Sequence, residues 1–201
     1  MGRPRLHDAS TRTALLEAAE RLVEGEGLDA LSVRRVADHA GTTTRAVYAV
    51  FGSKDALVVA LGARAFDLLG SAVSALPVTA DPVNDLVNAG ARAFREFALG
   101  HPALFRIGVQ RVALTRELTT GFAGAANTAL GSLHTRIARL ADGGGLGGRP
   151  VAEAAWAFHA LCEGLAALEL RCDLPDAKAR TLWADALRAL ILGWRTGQPL
   201  S

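Results

Sequence analysis

Cysteine is nearly missing from this sequence: among 201 residues there are two, Cys162 and Cys172. Two thiols cannot form the framework of a disulfide-stapled fold, so a reducing cytoplasm is the expected setting. The N-terminal arginines are followed by no apolar region, so a secretory signal is not expected. No run of about 18 uncharged apolar residues is present, which argues against a membrane span. Strand signals are scarce, with few β-branched alternations and no Asn-Gly hairpin. Enzyme signatures are missing too. His7, His39, His101, His134 and His159 show no His-Glu-x-x-His or paired-cysteine spacing, so no metal centre is expected. There is no Gly-x-Ser-x-Gly elbow and no dinucleotide fingerprint, so neither catalysis nor a cofactor is expected. Charge of one sign is also lacking, since the net charge is only +2.

What is present favours helix. Half the residues are hydrophobic, enough for a sizeable core, and Ala and Leu dominate. The expected fold is all-α, with about nine helices. Charge is distributed locally rather than globally. Arg3, Arg5 and Arg12 stand against Asp8, and Arg34, Arg35, Arg45 and Lys54 against Asp38, with Glu17, Glu20, Glu24, Glu26 and Asp29 between. That alternation fits a solvent-facing first helix flanked by two DNA-facing segments; ordinary solvated surface is the alternative.

The most informative stretch is Ser32–Lys54, SVRRVADHAGTTTRAVYAVFGSK. Ser32 can cap a helix whose apolar face is Val33, Val36, Ala37 and Ala40. Gly41 can end it in a left-handed conformation. Thr43 can cap a second helix with Ala46, Val47 and Val50 on its apolar side. Two short helices around a glycine turn make a helix-turn-helix, whose second helix enters the major groove of DNA. Thr42, Thr43, Thr44 and Arg45 then stand at the reading end, with Tyr48 one turn beyond Thr44. Arg45 is the candidate for a bidentate base contact. Ser53 can cap a third helix that Lys54 opens, a combination suited to phosphate. Ser32 and Arg34 can add backbone contacts. Two amphipathic core helices with a plain connector are the alternative.

The stretch resembles the N-terminal domain of the tetracycline-repressor-like (TetR) family of transcriptional regulators. The resemblance is carried by Ser32–Ala37, Ala40-Gly41, Val47-Tyr48 and Phe51–Leu57, and it extends over residues 10 to 65. Where the family usually has Ala-Gly-Val-Ser, this chain has Ala40-Gly41-Thr42-Thr43; where the family often has His or Tyr before the Phe, it has Val50. The resemblance implies that Tyr48 and Lys54 clamp phosphate. It also implies a repressor acting as a homodimer on a palindromic double-stranded operator, responsive to a small-molecule effector.

The expected organisation is a flexible basic arm (residues 1–9), a helix-turn-helix domain (10–55, motif 32–51) and a helical ligand-sensing and dimerisation domain (56–201). Helix 1 is expected from Ser10 or Thr11, with Leu15, Ala18, Ala19, Leu22 and Val23 inward. Further helices are expected over 53–75, 83–99, 103–108, 115–141, 151–171 and 177–195. The loop 142–150, with five glycines, is expected to be mobile; a glycine-rich phosphate cradle is rejected because no strand precedes it. His-Pro-Ala-Leu-Phe-Arg from His101 and the set Trp156, His159, Gly164 resemble a C-terminal domain of part of the family, named for a Trp-His-Gly signature. Phe94, Phe97, Phe105, Phe122, Trp156, His159 and Cys162 are candidates to line a pocket for an apolar ligand; aromatic core packing is the rival reading. Leu165, Leu168, Trp183, Leu187, Leu190, Ile191 and Trp194 are candidates for a dimer interface built from the last two helices. For the whole chain, the alternative function is a helical adaptor that binds only protein.

Overall fold

The computed structural model describes residues 5–110, 116–172 and 174–196; for 5–8, 116–123 and 196 the description stops at the backbone. The fold is all-α, as expected. Contacts divide the chain into two units, Met1–Ala65 with His101–Ala125, and Phe66–Gly100 with Ala126–Ser201. The first unit is wider than the 10–55 span suggested by the sequence, because it takes in the segment after His101.

The first unit begins with α1 (Arg5–Glu26), then a 3-10 turn (Leu28–Ala30), α2 (Val33–His39), α3 (Thr44–Phe51) and the start of α4 (Lys54–Ala75). α1 starts at Arg5, ahead of the expected Ser10 or Thr11. Residues 5–9, assigned to the arm, are therefore helical; they contain no glycine or proline to stop a helix. Residues 1–4 of the expected arm lie outside the described residues. Leu15, Ala18, Ala19, Leu22 and Val23 are all buried and meet Leu31, Val36, Val47, Leu57 and Leu61 in one core. α7 (Pro102–Phe105) and the π-helical stretch Arg106–Gln110 complete the unit. Its attachment uses the acidic run. Glu24 accepts from the backbone N–H groups of Ala103 (2.9 Å) and Leu104 (3.0 Å), capping α7. Glu20 stands 3.5 Å from Arg64 and 3.6 Å from His101. These glutamates therefore have structural partners within the unit rather than forming a purely solvent-facing strip. Gly108 is needed for close approach: a Cβ there would lie 2.7 Å from that of Ala65.

The second unit contains the end of α4, then α5 (Pro82–Asn88), the π-helical stretch Ala89–Phe94, α6 (Arg95–Gly100), α8 (Arg116–Asp142), α9 (Val151–Glu169) and α10 (Asp176–Thr196). The helix expected over 83–99 is thus interrupted by a π turn. Counting α5 to α6 as one gives nine helices among the described residues. Gly90 permits close packing of this stretch: a Cβ there would meet Leu187 at 2.6 Å, Cys162 at 3.0 Å and Phe158 at 3.1 Å. The loop after α8 is wound into successive turns. Leu146 is buried in it and Gly145 donates to the Leu140 carbonyl at 2.8 Å; positive φ at Gly144, Gly147 and Gly148 makes the winding possible.

Three arginines hold the second unit. Arg95, 4% exposed, donates to Glu169 (2.6 Å) and Asp176 (2.7 Å), and the Trp183 indole donates to Glu169 at 2.8 Å. The bonds to Glu169, opposed by burial, hold the Arg95 pKa above its ordinary value. Arg136 donates to the carbonyls of Val73, Leu76 and Pro77, closing the C-terminal end of α4, where orphan carbonyls need donors. Arg139 pairs with buried Asp85 at 2.5 Å and also bonds the Thr79 carbonyl. Burial alone would raise the Asp85 pKa; Arg139 and Thr79 outweigh it and hold the carboxyl below its usual range.

By length and composition alone, α4 and α9 could cross a bilayer. Neither is free of charge, since α4 carries Arg64 and Asp67 and α9 carries Glu153 and Glu163. Each also contributes core residues, Leu57 and Leu61 from α4 and Ala155 and Phe158 from α9.

Candidate nucleic-acid interface

The turn between α2 and α3 depends on Gly41 at φ 63°. That conformation lets the Thr42 N–H reach back to the Ala37 carbonyl at 2.9 Å. Ser32 caps α2, its hydroxyl accepting from the Arg35 N–H at 3.3 Å, and Thr43 caps α3 by accepting from the Ala46 N–H at 3.3 Å. Ser53 accepts from the Ala56 N–H at 3.0 Å and caps α4. Gly52, at φ 77°, closes α3 by donating to the Tyr48 carbonyl at 2.8 Å. The three helix starts read from the sequence are therefore capped by the three hydroxyls it offered.

Val47 and Phe51 turn inward from α3. Thr43, Thr44, Arg45 and Tyr48 turn outward, with Tyr48 53% exposed; Thr42 and Ser32 are half-buried, and Arg34 and Lys54 are exposed. All eight sequence candidates fall in the first unit: six at the starts of α2, α3 and α4, Thr42 in the turn before α3, and Tyr48 one turn into α3. The cations there differ in one respect. Arg35 forms an ion pair with Glu26, donating from Nη1 to Oε2 at 2.9 Å, and Arg12 lies 4.9 Å above the Phe51 ring. The Arg35 bond and charge hold the Glu26 pKa below its ordinary value. Arg34, Arg45 and Lys54 have no hydrogen bond or ion pair to a described residue. Unpaired guanidinium at the N-terminus of a short exposed helix, beside hydroxyls and one phenol, can engage guanine edges and phosphate oxygens.

The second unit holds a cavity of about 30 Å³. Its walls are Phe66, Leu69 and Val73 of α4, Ala89 and Phe94 of the π stretch, Ala129, Leu130 and Leu133 of α8, and Phe158 and His159 of α9. Of the six pocket candidates whose side chains are described, Phe94 and His159 line it and the other four do not. Phe97 and Cys162 are packed elsewhere in the unit's core, Phe105 is core of the first unit, and Trp156 is 64% exposed. Burial pushes the Cys162 thiol well above its usual pKa. The Phe122 side chain lies outside the described residues. The missed wall residues sit on apolar helical faces, and no sequence signal separates them from plain core.

The dimer candidates divide in the same way. Trp183, Leu187, Ile191, Trp194 and Leu165 are buried within the chain itself, and Leu190 is half-buried; Leu168 is exposed. The open faces are a second stripe: Trp156, Ala160, Gly164 and Leu168 on α9, and Leu182, Ala189, Leu192 and Gly193 on α10. A Cβ at Gly164 or Gly193 would meet nothing within 4 Å. Among the described residues, no group of three His, Cys, Asp or Glu side chains could hold a metal ion.

Residues 15–61 match the profile of bacterial regulatory proteins of the tetR family. Residues 87–190 match the profile of the tetracyclin repressor-like C-terminal domain. No curated protein matches the chain. Solved structures do. A protein of unknown function from Rhodococcus sp. RHA1 superposes with TM-score 0.76 at 23% identity, over 93% of this chain and 98% of that one. PfmR, a TetR-family transcriptional regulator from Thermus thermophilus, gives 0.60 at 26% identity, over 89% and 96%. The multidrug binding protein EbrR, complexed with imidazole, gives 0.67 at 25% identity, over 99% and 96%.

Proposed function

Since the chain belongs to the tetracycline-repressor (TetR) family of bacterial regulatory proteins, we propose that it is a cytoplasmic, sequence-specific DNA-binding repressor that leaves its operator when a small apolar ligand binds. The observation that carries this reading is Arg45: exposed and free of any partner among the described residues, at the first turn of α3. In the proposal Arg45 reads a base, Thr42, Thr43 and Thr44 contact base edges or neighbouring phosphates, and Tyr48 and Lys54 hold phosphate. Ser32 and Arg34 add backbone contacts. The hydroxyls of Ser32 and Thr43 accept bonds as caps, which leaves each free to donate to a phosphate oxygen.

One helix-turn-helix reads few base pairs, so the working form is a two-fold dimer with half-sites about 34–36 Å apart. The exposed stripes of α9 and α10 support that pairing better than the buried one. Leu168, Leu182 and Leu192 are open, and helix glycines such as Gly164 and Gly193, which cost about 1 kcal/mol each relative to alanine, suit close approach of a second copy. The C-terminal part is of the Trp-His-Gly type, on the strength of Trp156, His159 and Gly164 in α9. The ligand acts by favouring a form whose reading heads are misspaced for DNA.

Selection of bound duplexes from a random pool tests this. The expected product is a palindrome with helical-turn spacing and a steep salt dependence. No DNA retention at low salt would leave a protein-binding adaptor instead. Leu192→Arg should yield monomers by light scattering and lose operator binding with them.

A further inference from the structure

We propose that the cavity of the second unit takes an uncharged, ring-sized apolar molecule carrying a single hydrogen-bonding atom, which the imidazole of His159 engages. The inference rests on the reading of the chain as an effector-responsive regulator and specifies the chemistry of the effector. The cavity wall makes the selection. Among its described residues none carries a formal charge, and all but His159 are apolar. No carboxylate is there to pair with a cation and no lysine or arginine to pair with an acid, so a charged guest would be desolvated without compensation.

His159 supplies the one polar feature. Its ring packs edge-on against Phe94 at 5.6 Å and against Trp156 at 6.2 Å. No described residue hydrogen-bonds to its ring nitrogens. Burial lowers its pKa from the ordinary value, so at neutral pH it is a neutral imidazole with one donor and one acceptor nitrogen. A half-buried imidazole at the wall of an apolar space, with no hydrogen-bond partner among the described residues, is the kind of position a ligand atom fills.

Size makes the guest an active one. The space is about 30 Å³, whereas an apolar cavity that accepts benzene is on the order of 150 Å³. A ring therefore enters only if the wall yields. Ala89 and Phe94 are the first and last residues of the π-helical stretch, a widened irregular turn of the sort that recurs at functional sites. Phe66, Leu69 and Val73 belong to α4, the helix that Lys54 opens. A guest that must displace this wall binds one arrangement of α4 better than another, which is what a change of population requires.

The test uses the full chain and four rings of similar size: phenol, toluene, benzoate and benzylammonium, with binding followed by calorimetry and thermal shift at pH 7.5. Phenol is expected to bind at least ten-fold tighter than benzoate or benzylammonium. His159→Phe should lower phenol affinity about ten-fold and leave toluene within two-fold. Leu133→Phe, which fills the cavity, should abolish binding of both, so the site remains testable if one variant folds poorly. Equal binding of a charged ring, phenol binding indifferent to His159→Phe, toluene binding indifferent to Leu133→Phe, or no binding of any ring at millimolar concentration would each overturn the proposal. DNA retention measured on the same samples separates the two readings: DNA bound without rings sinks the ligand class alone, and rings bound without DNA sinks the regulator alone.

Discussion

Two sets of arginines, one in each unit, are treated in opposite ways. In the first, Arg34 and Arg45 are exposed and face solvent without a protein partner among the described residues. In the second, Arg95 and Arg136 are 4% and 5% exposed and Arg139 is tied to Asp85. A guanidinium that must meet DNA has to be presented unpaired, because any intramolecular partner would have to be given up on binding. A guanidinium that organises a core must be satisfied on every side, because a buried charge without partners is costly. The contrast predicts that substitutions in one set change recognition without changing stability, and in the other set the reverse.

The largest effect is expected from Arg95→Met. It leaves the Glu169 carboxylate with Trp183 as its one remaining partner among the described residues, and should cost about 3–5 kcal/mol in chemical denaturation. Replacing Arg95 and Glu169 together by apolar residues should recover much of that loss; a double variant as unstable as the single one would show that packing, not charge, governs the site. Next is Arg136→Met, which takes the Arg136 donor from the Leu76 and Pro77 carbonyls and one of two donors from that of Val73, and should cost about 2 kcal/mol. Arg45→Ala should change stability by less than about 0.5 kcal/mol but remove about 1–3 kcal/mol of discrimination at one base position. Lys54→Ala should weaken every sequence alike and lower the salt slope by about one; a loss of base preference as large as that of Arg45→Ala would dissolve the distinction between reading and clamping.

The smallest effect concerns His159, the neutral counterpart of those paired cations. Its folded-state pKa is lowered from 6.5 by burial. The unfolded chain therefore binds a proton first as the pH falls, so the contribution is fully present above about 6.5 and is lost as the pH drops through the folded value. His159→Phe should make the melting temperature less sensitive to pH in that window. An unchanged profile would place His159 in a wetter setting than its burial indicates.

The first unit was legible because its signals are local. Each cap, glycine and apolar position of α2 and α3 acts within four residues of its own backbone, so Ser32, Gly41, Thr43 and Ser53 could be assigned to roles they fulfil. The second unit was legible only as helices. The apolar stripe Trp183, Leu187, Ile191, Trp194 was correctly seen as one face of α10, but a face says nothing about which neighbour covers it, and the chain's own α5 and α9 do. The outer stripe of Leu182, Ala189 and Leu192 is broken by Asp185 and Arg188, which hid it. The cavity escaped for a related reason: Phe66, Ala89, Ala129 and Phe158 come from four separate segments, and the candidate Phe105 is not among the wall residues.

Composition and periodicity by themselves determined that this chain is helical, where α2, α3 and α4 start, and which side chains the short α2 and α3 show to solvent. All of that follows from hydrogen bonds and side-chain sterics between residues a turn apart. Only the tertiary structure decided that α5 gives way to a π turn over Ala89–Phe94, that Arg95 and Arg136 are internal, and that His159 alone among the described wall residues lends polarity to an apolar space. Those outcomes depend on surfaces brought together from distant parts of the chain, where one methyl group on Gly90 would collide with Leu187, Cys162 and Phe158.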